Sequence, residues 1–305
     1  MLHPAGGTIM EKRHLLAEAI AKENESQAAA LNSALEFLTP AETKTLEQCL
    51  DFLTGQGLAL EYLASCYNVI SNDTLAEQIY FLQNGKYRHS TYAEVADRVY
   101  GNKDYMEKYM YGLMLTEFLW KNHLQMNRWF EERLPRGRKG GYLEIGPGHG
   151  YHMLQAMKNC SFDTYEAIDI SPTSIALTKA YLTHALPAPP ENLTLRLADF
   201  LEYDFDKKFD AVVMGEVLEH VEQPAAFIKR IAKAAKPDAS IYITTAINAP
   251  AIDHIYLFDT PESVEEVVAR AGLGVKDRLL VPYKGMPLEK SLRARLPVTI
   301  ALVIG

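Results

Sequence analysis

Cysteine is scarce. The chain of 305 residues has three, Cys49, Cys66 and Cys160, and no CxxC pair. An odd, scattered set offers no disulfide framework and fits buried thiols in a reducing, cytoplasmic setting. Long apolar runs are missing as well. None approaches the roughly 20 residues that a bilayer crossing takes. The opening MLHPAGGTIM has neither the charged start nor the apolar core of a signal peptide, and residues 1–9 are expected to be a mobile start. Clustered positive charge is also lacking: the net charge is −8, and the longest basic run is RGRK at 136–139. A phosphate backbone would be repelled by that balance, so nucleic acid and membrane are not expected partners. Internal repeats and low-complexity tracts are absent. What remains is an ordinary globular chain, 48% apolar, long enough for one large domain or two modest ones.

The first part of the chain reads as helical throughout. Residues 11–38 are rich in Ala, Leu and Glu at helical spacing and predict one long amphipathic helix. Thr39-Pro40-Ala41-Glu42 combines a Thr cap, Pro at the first helical position and a Glu that closes a capping box, so a second helix starts there. A third is expected over about 58–70, and a fourth from the Ser71-Asn72-Asp73-Thr74 start signal to Gly85. Thr91-Tyr92-Ala93-Glu94 opens a short one closed by Gly101. The last, 103–133, is dense in Tyr, Met and Trp, with Tyr105 and Tyr109 on one face and Met106, Met110 and Met114 on an adjacent one.

Composition changes across the glycine-rich hinge 136–141, which sets the expected boundary between a helical domain, 1–135, and a second domain, 136–305. Beyond it strands alternate with helices: strands at 142–145, 164–169, 193–197, 210–214 and 241–246, then two more near 275–281 and 298–304. Helices follow at about 149–158, from Ser171-Pro172, around Pro224, and over 260–272. Strands separated in this way need right-handed crossovers and a mostly parallel sheet, an α/β fold with ligand sites at the carboxyl ends of its strands.

One stretch organises the rest: Tyr142 to Gly150, YLEIGPGHG, an apolar strand that breaks into alternating glycines. Such a turn can lie against a ligand backbone to backbone. A dinucleotide fingerprint would need glycine at 151, where the chain has Tyr151, and Glu144 would repel a pyrophosphate while welcoming a cation. Glu144-Ile-Gly146-Pro147-Gly148-His-Gly150 resembles the first motif of class I S-adenosylmethionine (SAM) methyltransferases, an acidic residue, a spacer and alternating glycines.

That resemblance extends through the second domain. It implies a Rossmann-like sheet of seven mostly parallel strands with flanking helices, preceded here by an all-α domain. It implies SAM as cofactor, with Asp169 at the end of the second strand holding both ribose hydroxyls beside Ile170. Asp199 is implied to accept from the adenine amine, with Phe200 packing on the base. FDAVVMGEVLEHVEQP at 209–224 is similar to the motif whose strand ends beside the reacting methyl, which puts Glu216 at the sulfonium end. His254 to Phe258 resembles the segment that small-molecule methyltransferases present to the acceptor.

Expected cofactor contacts are therefore Glu144, Gly146, Pro147, Gly148, Gly150, Asp169, Ile170, Asp199, Phe200 and Glu216, and candidate catalytic groups are Tyr109, His254 and Glu216. Glu219 and His220 read as helix surface. His149 and His152 lack a third ligand, so no metal is expected there. Three activities fit. The first is methyl transfer to a small-molecule acceptor under a Tyr/Met-rich lid, in a possible homodimer. The second is cyclisation of SAM itself to azetidine-2-carboxylate with release of methylthioadenosine, as in the synthases that keep the methyltransferase fold. The third is a non-catalytic SAM sensor.

Overall fold

The computed structural model describes residues 11–188 and 191–305. The expected mobile start and the end of the PAPP loop at 187–190 lie outside the described residues. The helical segment comprises α1 (Lys12–Glu23), α2 (Ala28–Phe37), α3 (Pro40–Gly55), α4 (Leu60–Asn84), α5 (Tyr92–Val95), α6 (Lys103–Leu119) and α7 (Lys121–Arg133). The rest alternates: β1 (Gly141–Ile145), α8 (Tyr151–Asn159), β2 (Thr164–Asp169), α9 (Pro172–Ala185), β3 (Leu193–Leu197), β4 (Phe209–Gly215) and α10 (Pro224–Ala234). β5 (Ala235–Ile247), α11 (Pro261–Arg270), β6 (Val275–Pro282), α12 (Leu288–Arg293) and β7 (Val298–Ile304) complete it.

Capping chemistry places several starts where the sequence does. Thr39 and Glu42 form the reciprocal box at α3, Thr91 and Glu94 the one at α5, and Ser171 caps α9 through the Ser174 N–H. Three helix readings need correction. The long first helix breaks at Asn24 (φ −142°), whose side chain accepts from Ser26 and donates to Asn72 instead of continuing the helix. The Ser71 start signal is internal to α4, where Ser71 is buried and Asn72 is engaged by Asn24, so tertiary contacts override a local cap. The Tyr/Met-rich helix is two, parted at Trp120 (φ −111°, ψ 121°), whose indole N–H donates to Tyr67 at 3.1 Å. The short α12 has no counterpart in the sequence reading.

The seven strands run in the order β3-β2-β1-β4-β5-β7-β6, all parallel except β7, which pairs antiparallel with both neighbours. β1 and β4 are adjacent, and the chain winds away from them in opposite directions. Their carboxyl ends therefore flank the crevice in which such sheets bind ligands. Alternation along the strands splits the core. Leu143, Val212 and Met214 pack on the α10 and α11 side, while Tyr142, Ala211 and Val213 share one core with buried residues of the helical segment. Helix α7 makes much of that second contact, with Trp129 and Phe130 centroids 5.6 and 4.8 Å from Tyr242.

Candidate functional site

The turn after β1 has the backbone that only glycine adopts cheaply. Gly146, Gly148 and Gly150 have φ of 66°, 57° and 82°. A Cβ on Gly146 would stand 2.6 Å from Val217, and one on Gly150 would press on Thr178, whose hydroxyl donates to the Gly148 carbonyl at 2.9 Å. Pro147 accepts the Gly150 N–H, and α8 begins at the next residue, so its free N–H groups face the turn. Met110 of α6 lies over it, 3.8 Å from where a Cβ on Gly148 would be.

Carboxylates stand at or after the ends of β1, β2 and β3. Glu144 is buried, its Oε2 accepting from Tyr142 at 2.9 Å, and burial lifts it to about 8. That shift favours the protonated form of Glu144 at neutral pH. Asp169 accepts the Ser171 N–H at 2.8 Å; burial raises it to about 6, against the pull of backbone N–H groups that include Gly148 and Ile170. Asp199 is exposed and caps the Leu201 N–H. Ile170 is 49% exposed beside Asp169, an apolar face open to a ligand. Phe200 instead turns into the core, 3% exposed, between Phe205 and Phe227.

A second cluster forms where β4 ends. Glu216 has φ 51°, a conformation that costs a non-glycine residue on the order of 1 kcal/mol or more. Its N–H donates to the Thr244 carbonyl and hydroxyl oxygens, while its Oε1 is buried without a partner among the described residues. Glu219 and His220 correct the surface reading. They lie in a 3-10 turn, Leu218–His220, with Glu219 fully buried. Thr245 donates to Glu219 Oε2 at 2.6 Å, its Oε1 has no partner among the described residues, and burial with repulsion from Glu216 raises its acid to about 7.

Asp253 joins this turn to the helical segment. It accepts from Tyr100 at 3.2 Å and Tyr109 at 3.3 Å, and faces His220 Nδ1 at 3.3 Å. Burial opposes the charge on His220, but the Asp253 carboxylate outweighs it and lifts the ring to about 9. Burial, with Asp253 nearby, drives Tyr109 well above the usual phenol range, so it is a neutral donor. His254 Nδ1 lies 2.6 Å from the Ala249 carbonyl, which gives that nitrogen the proton and leaves Nε2 free. Its ring stands perpendicular to His220 at 4.7 Å, and burial lowers its basicity. Tyr109, His254 and Glu216 thus sit in or beside one cluster. His220, read as helix surface, belongs to it too, and so do Tyr100 and Asp253, which the sequence reading did not single out.

His149 and His152 serve another purpose. His149 Nε2 pairs with the half-buried Glu117 at 3.3 Å, and His152 packs on Phe130 at 4.5 Å. Burial opposes the charge of Glu117, yet the His149 hydrogen bond holds it down at about 2. This pair ties the glycine turn to α6.

A family profile described as a methyltransferase domain matches residues 120–276, just over half of the chain. The chain belongs to this methyltransferase-domain family. The matched span contains the glycine turn, Asp169, Asp199 and the whole β4-end cluster except the tyrosines of the helical segment. SAM is accordingly its cofactor, and the tight glycine turn, exposed Ile170 and the acid Asp169 at the end of β2 fit that molecule. Curated relatives are more distant. The chain is 27% identical over 128 residues to a ubiquinone biosynthesis O-methyltransferase of Neisseria meningitidis, spanning 42% of this chain and 52% of that one. It is 28% identical over 120 residues to the mitochondrial ubiquinone biosynthesis O-methyltransferase of Dictyostelium discoideum, 37% of each. The match thus spans about half or less of these relatives' length. Among solved structures, mitomycin 7-O-methyltransferase MmcR superposes with a TM-score of 0.51 at 12% identity, over 80% of this chain and 70% of that one. A SAM-dependent methyltransferase of Leishmania major gives 0.50 at 14%, over 70% and 82%. These two share the methyltransferase fold. Among the described residues no helix is long and apolar enough to cross a membrane.

Proposed function

We propose that this chain transfers a methyl group from SAM to an oxygen of a small-molecule acceptor. Residues 136–305 would hold the cofactor, and the helical residues 1–135 would close the acceptor side. One observation carries this reading: Asp253, from the loop after β5, is hydrogen-bonded by Tyr100 and Tyr109 of the helical segment, directly over the end of β4. The helical segment is thereby fastened across the strand ends where the sulfonium is implied to lie, and Met110 rests on the same glycine turn. The names of the similar O-methyltransferases support oxygen as the methylated atom.

Bound SAM supplies a sulfonium whose methyl is already activated. The residues would supply the rest. Gly146, Gly148 and Gly150 let the backbone approach, Asp169 accepts the ribose hydroxyls, and Asp199 with Ile170 borders the base. Glu144 gives up its proton when a cation arrives. Tyr105 and Tyr109, stacked at 5.9 Å, present faces whose cation-π contacts are worth about 0.5–2 kcal/mol. The acceptor proton would leave through the cluster of Glu216, Glu219, His220 and His254. Holding the partners in line can remove about 7–11 kcal/mol of barrier, so no strong acid is needed.

The test is the purified full chain with SAM and a panel of phenols and alcohols, scored for S-adenosylhomocysteine and methylated product. Acceptor-dependent S-adenosylhomocysteine is expected. Methylthioadenosine from SAM alone would mark cyclisation, and SAM binding with neither product would mark a sensor.

A further inference from the structure

Among the described residues, one group of His, Cys, Asp or Glu brings three ligand atoms within 4.8 Å of one another: Glu219, His220 and His254. Its surroundings are those of a metal site. A ligating imidazole commonly has its other nitrogen bound by a carboxylate or carbonyl, which orients the ring and frees one nitrogen for the ion. Both rings here have that support, from Asp253 for His220 and from the Ala249 carbonyl for His254, each through Nδ1. The third member supplies an independent sign. Glu219 is fully buried, with one oxygen held by Thr245 and the other set against the Glu216 carboxyl with no other donor among the described residues. Two buried carboxyls brought together cannot both stay ionised unless a proton or a cation lies between them. Glu216, with its own bare buried oxygen and strained backbone, adjoins them.

We infer that Glu219, His220 and His254, with Glu216 beside them, bind one divalent transition-metal ion at the acceptor end of the SAM site. Two imidazoles and carboxylate oxygen favour a first-row ion such as Mn2+, Fe2+, Co2+ or Zn2+ over Mg2+ or Ca2+. Metal bonds of about 2.0–2.2 Å span ligand atoms up to roughly 4 Å apart, so small side-chain rotations close the set. Three protein ligands would leave positions open. Val217, one residue from Glu216, meets the glycine turn at Gly146, so the ion would lie close to the cofactor. Its chemical use rests on the methyl-transfer reading, since a cation there would acidify a hydroxyl brought to it. Ion binding itself does not depend on that reading.

Full-length protein stripped with chelator and dialysed, then titrated with Co2+, gives the direct test through the visible absorption of bound Co2+ and through metal analysis. About one ion per chain is expected for the parent protein. His254→Ala and Glu219→Gln, each checked for folding by circular dichroism and for SAM affinity, should bind at least about a hundredfold more weakly, beyond the 10–100-fold typical of losing an outer partner. Absence of stoichiometric binding in the parent, or binding undiminished in a folded variant, would overturn the inference. Methyl transfer by a parent protein that takes up no stoichiometric Co2+ sinks the metal site and leaves the proposed function standing; stoichiometric Co2+ with no transfer does the reverse.

Discussion

The glycine turn after β1 and the Asp253 cluster after β4 occupy the ends of adjacent strands, yet they are assembled differently. In the turn, Gly146, Gly148 and Gly150 are set by their own φ values, and the nearest support comes from Thr178. The cluster draws Tyr100 and Tyr109 from the helical segment, Glu216 to His220 from the β4 end, and Asp253 and His254 from the β5 loop. A backbone-built site depends on a few residues that must be small. A side-chain-built site depends on charges being matched at a distance in sequence.

The first way to break this comparison is Asp253→Ala. It strips His220, Tyr100 and Tyr109 of their shared partner, and losing half of a buried charged pair costs about 3–5 kcal/mol. Denaturant unfolding should show that loss, while SAM affinity in the folded protein changes by only a few fold. If SAM affinity collapses as well, the two regions are one unit.

Gly146→Ala is the converse. A Cβ at φ 66° and 2.6 Å from Val217 strains the turn by about 1–3 kcal/mol, and SAM affinity measured by calorimetry should fall about a hundredfold. An unchanged affinity would show that the turn tolerates a side chain and that backbone approach is not what holds the cofactor.

Acid sharpens the contrast through Asp169, raised from 3.8 to about 6 by burial. The folded protein takes this proton more readily than the unfolded chain, so this group's contribution to stability falls as pH rises from about 4 to 6. Binding moves the other way, because only the carboxylate accepts two hydroxyls: SAM affinity should weaken up to about tenfold per pH unit below 6. Asp169→Asn should remove that share of the slope below pH 6 and leave the part due to proton loss from Glu144. A profile unaffected by the substitution would move the dependence elsewhere.

The smallest effect belongs to Tyr109→Phe, which removes one hydrogen bond to Asp253 and leaves the ring. A loss of about 0.5–1.5 kcal/mol in stability is expected, with turnover reduced a few fold and SAM affinity kept. A drop in turnover beyond a hundredfold at unchanged stability would give the phenol a direct part in the chemistry.

Legibility followed the same division. β2 and β3 have the bounds the sequence indicates, because apolar runs between polar turns need no distant partner to be recognised. The glycine turn and Asp169 were equally readable. Errors arose where distant contacts override local signals: Asn24 breaks a helix by engaging Asn72, and Ser71 is absorbed into α4. Glu219 was misread as surface for the same reason. Its neighbours in sequence suit an exposed helix, and only the β5 residue Thr245 and the His254 segment bury it.

By itself the sequence determined the α/β sheet, the position of the glycine turn and the acid at the end of β2. Each depends on conformational preference or periodicity within a few residues, which one chain displays directly. Tertiary structure alone decided that burial raises the acid of Glu144, that Phe200 belongs to the core, and that His220, Asp253 and His254 meet beneath Tyr100 and Tyr109. Those outcomes turn on burial and on pairing between residues as far as 153 positions apart. The energy of a charge or a hydrogen bond is set by what surrounds it in space.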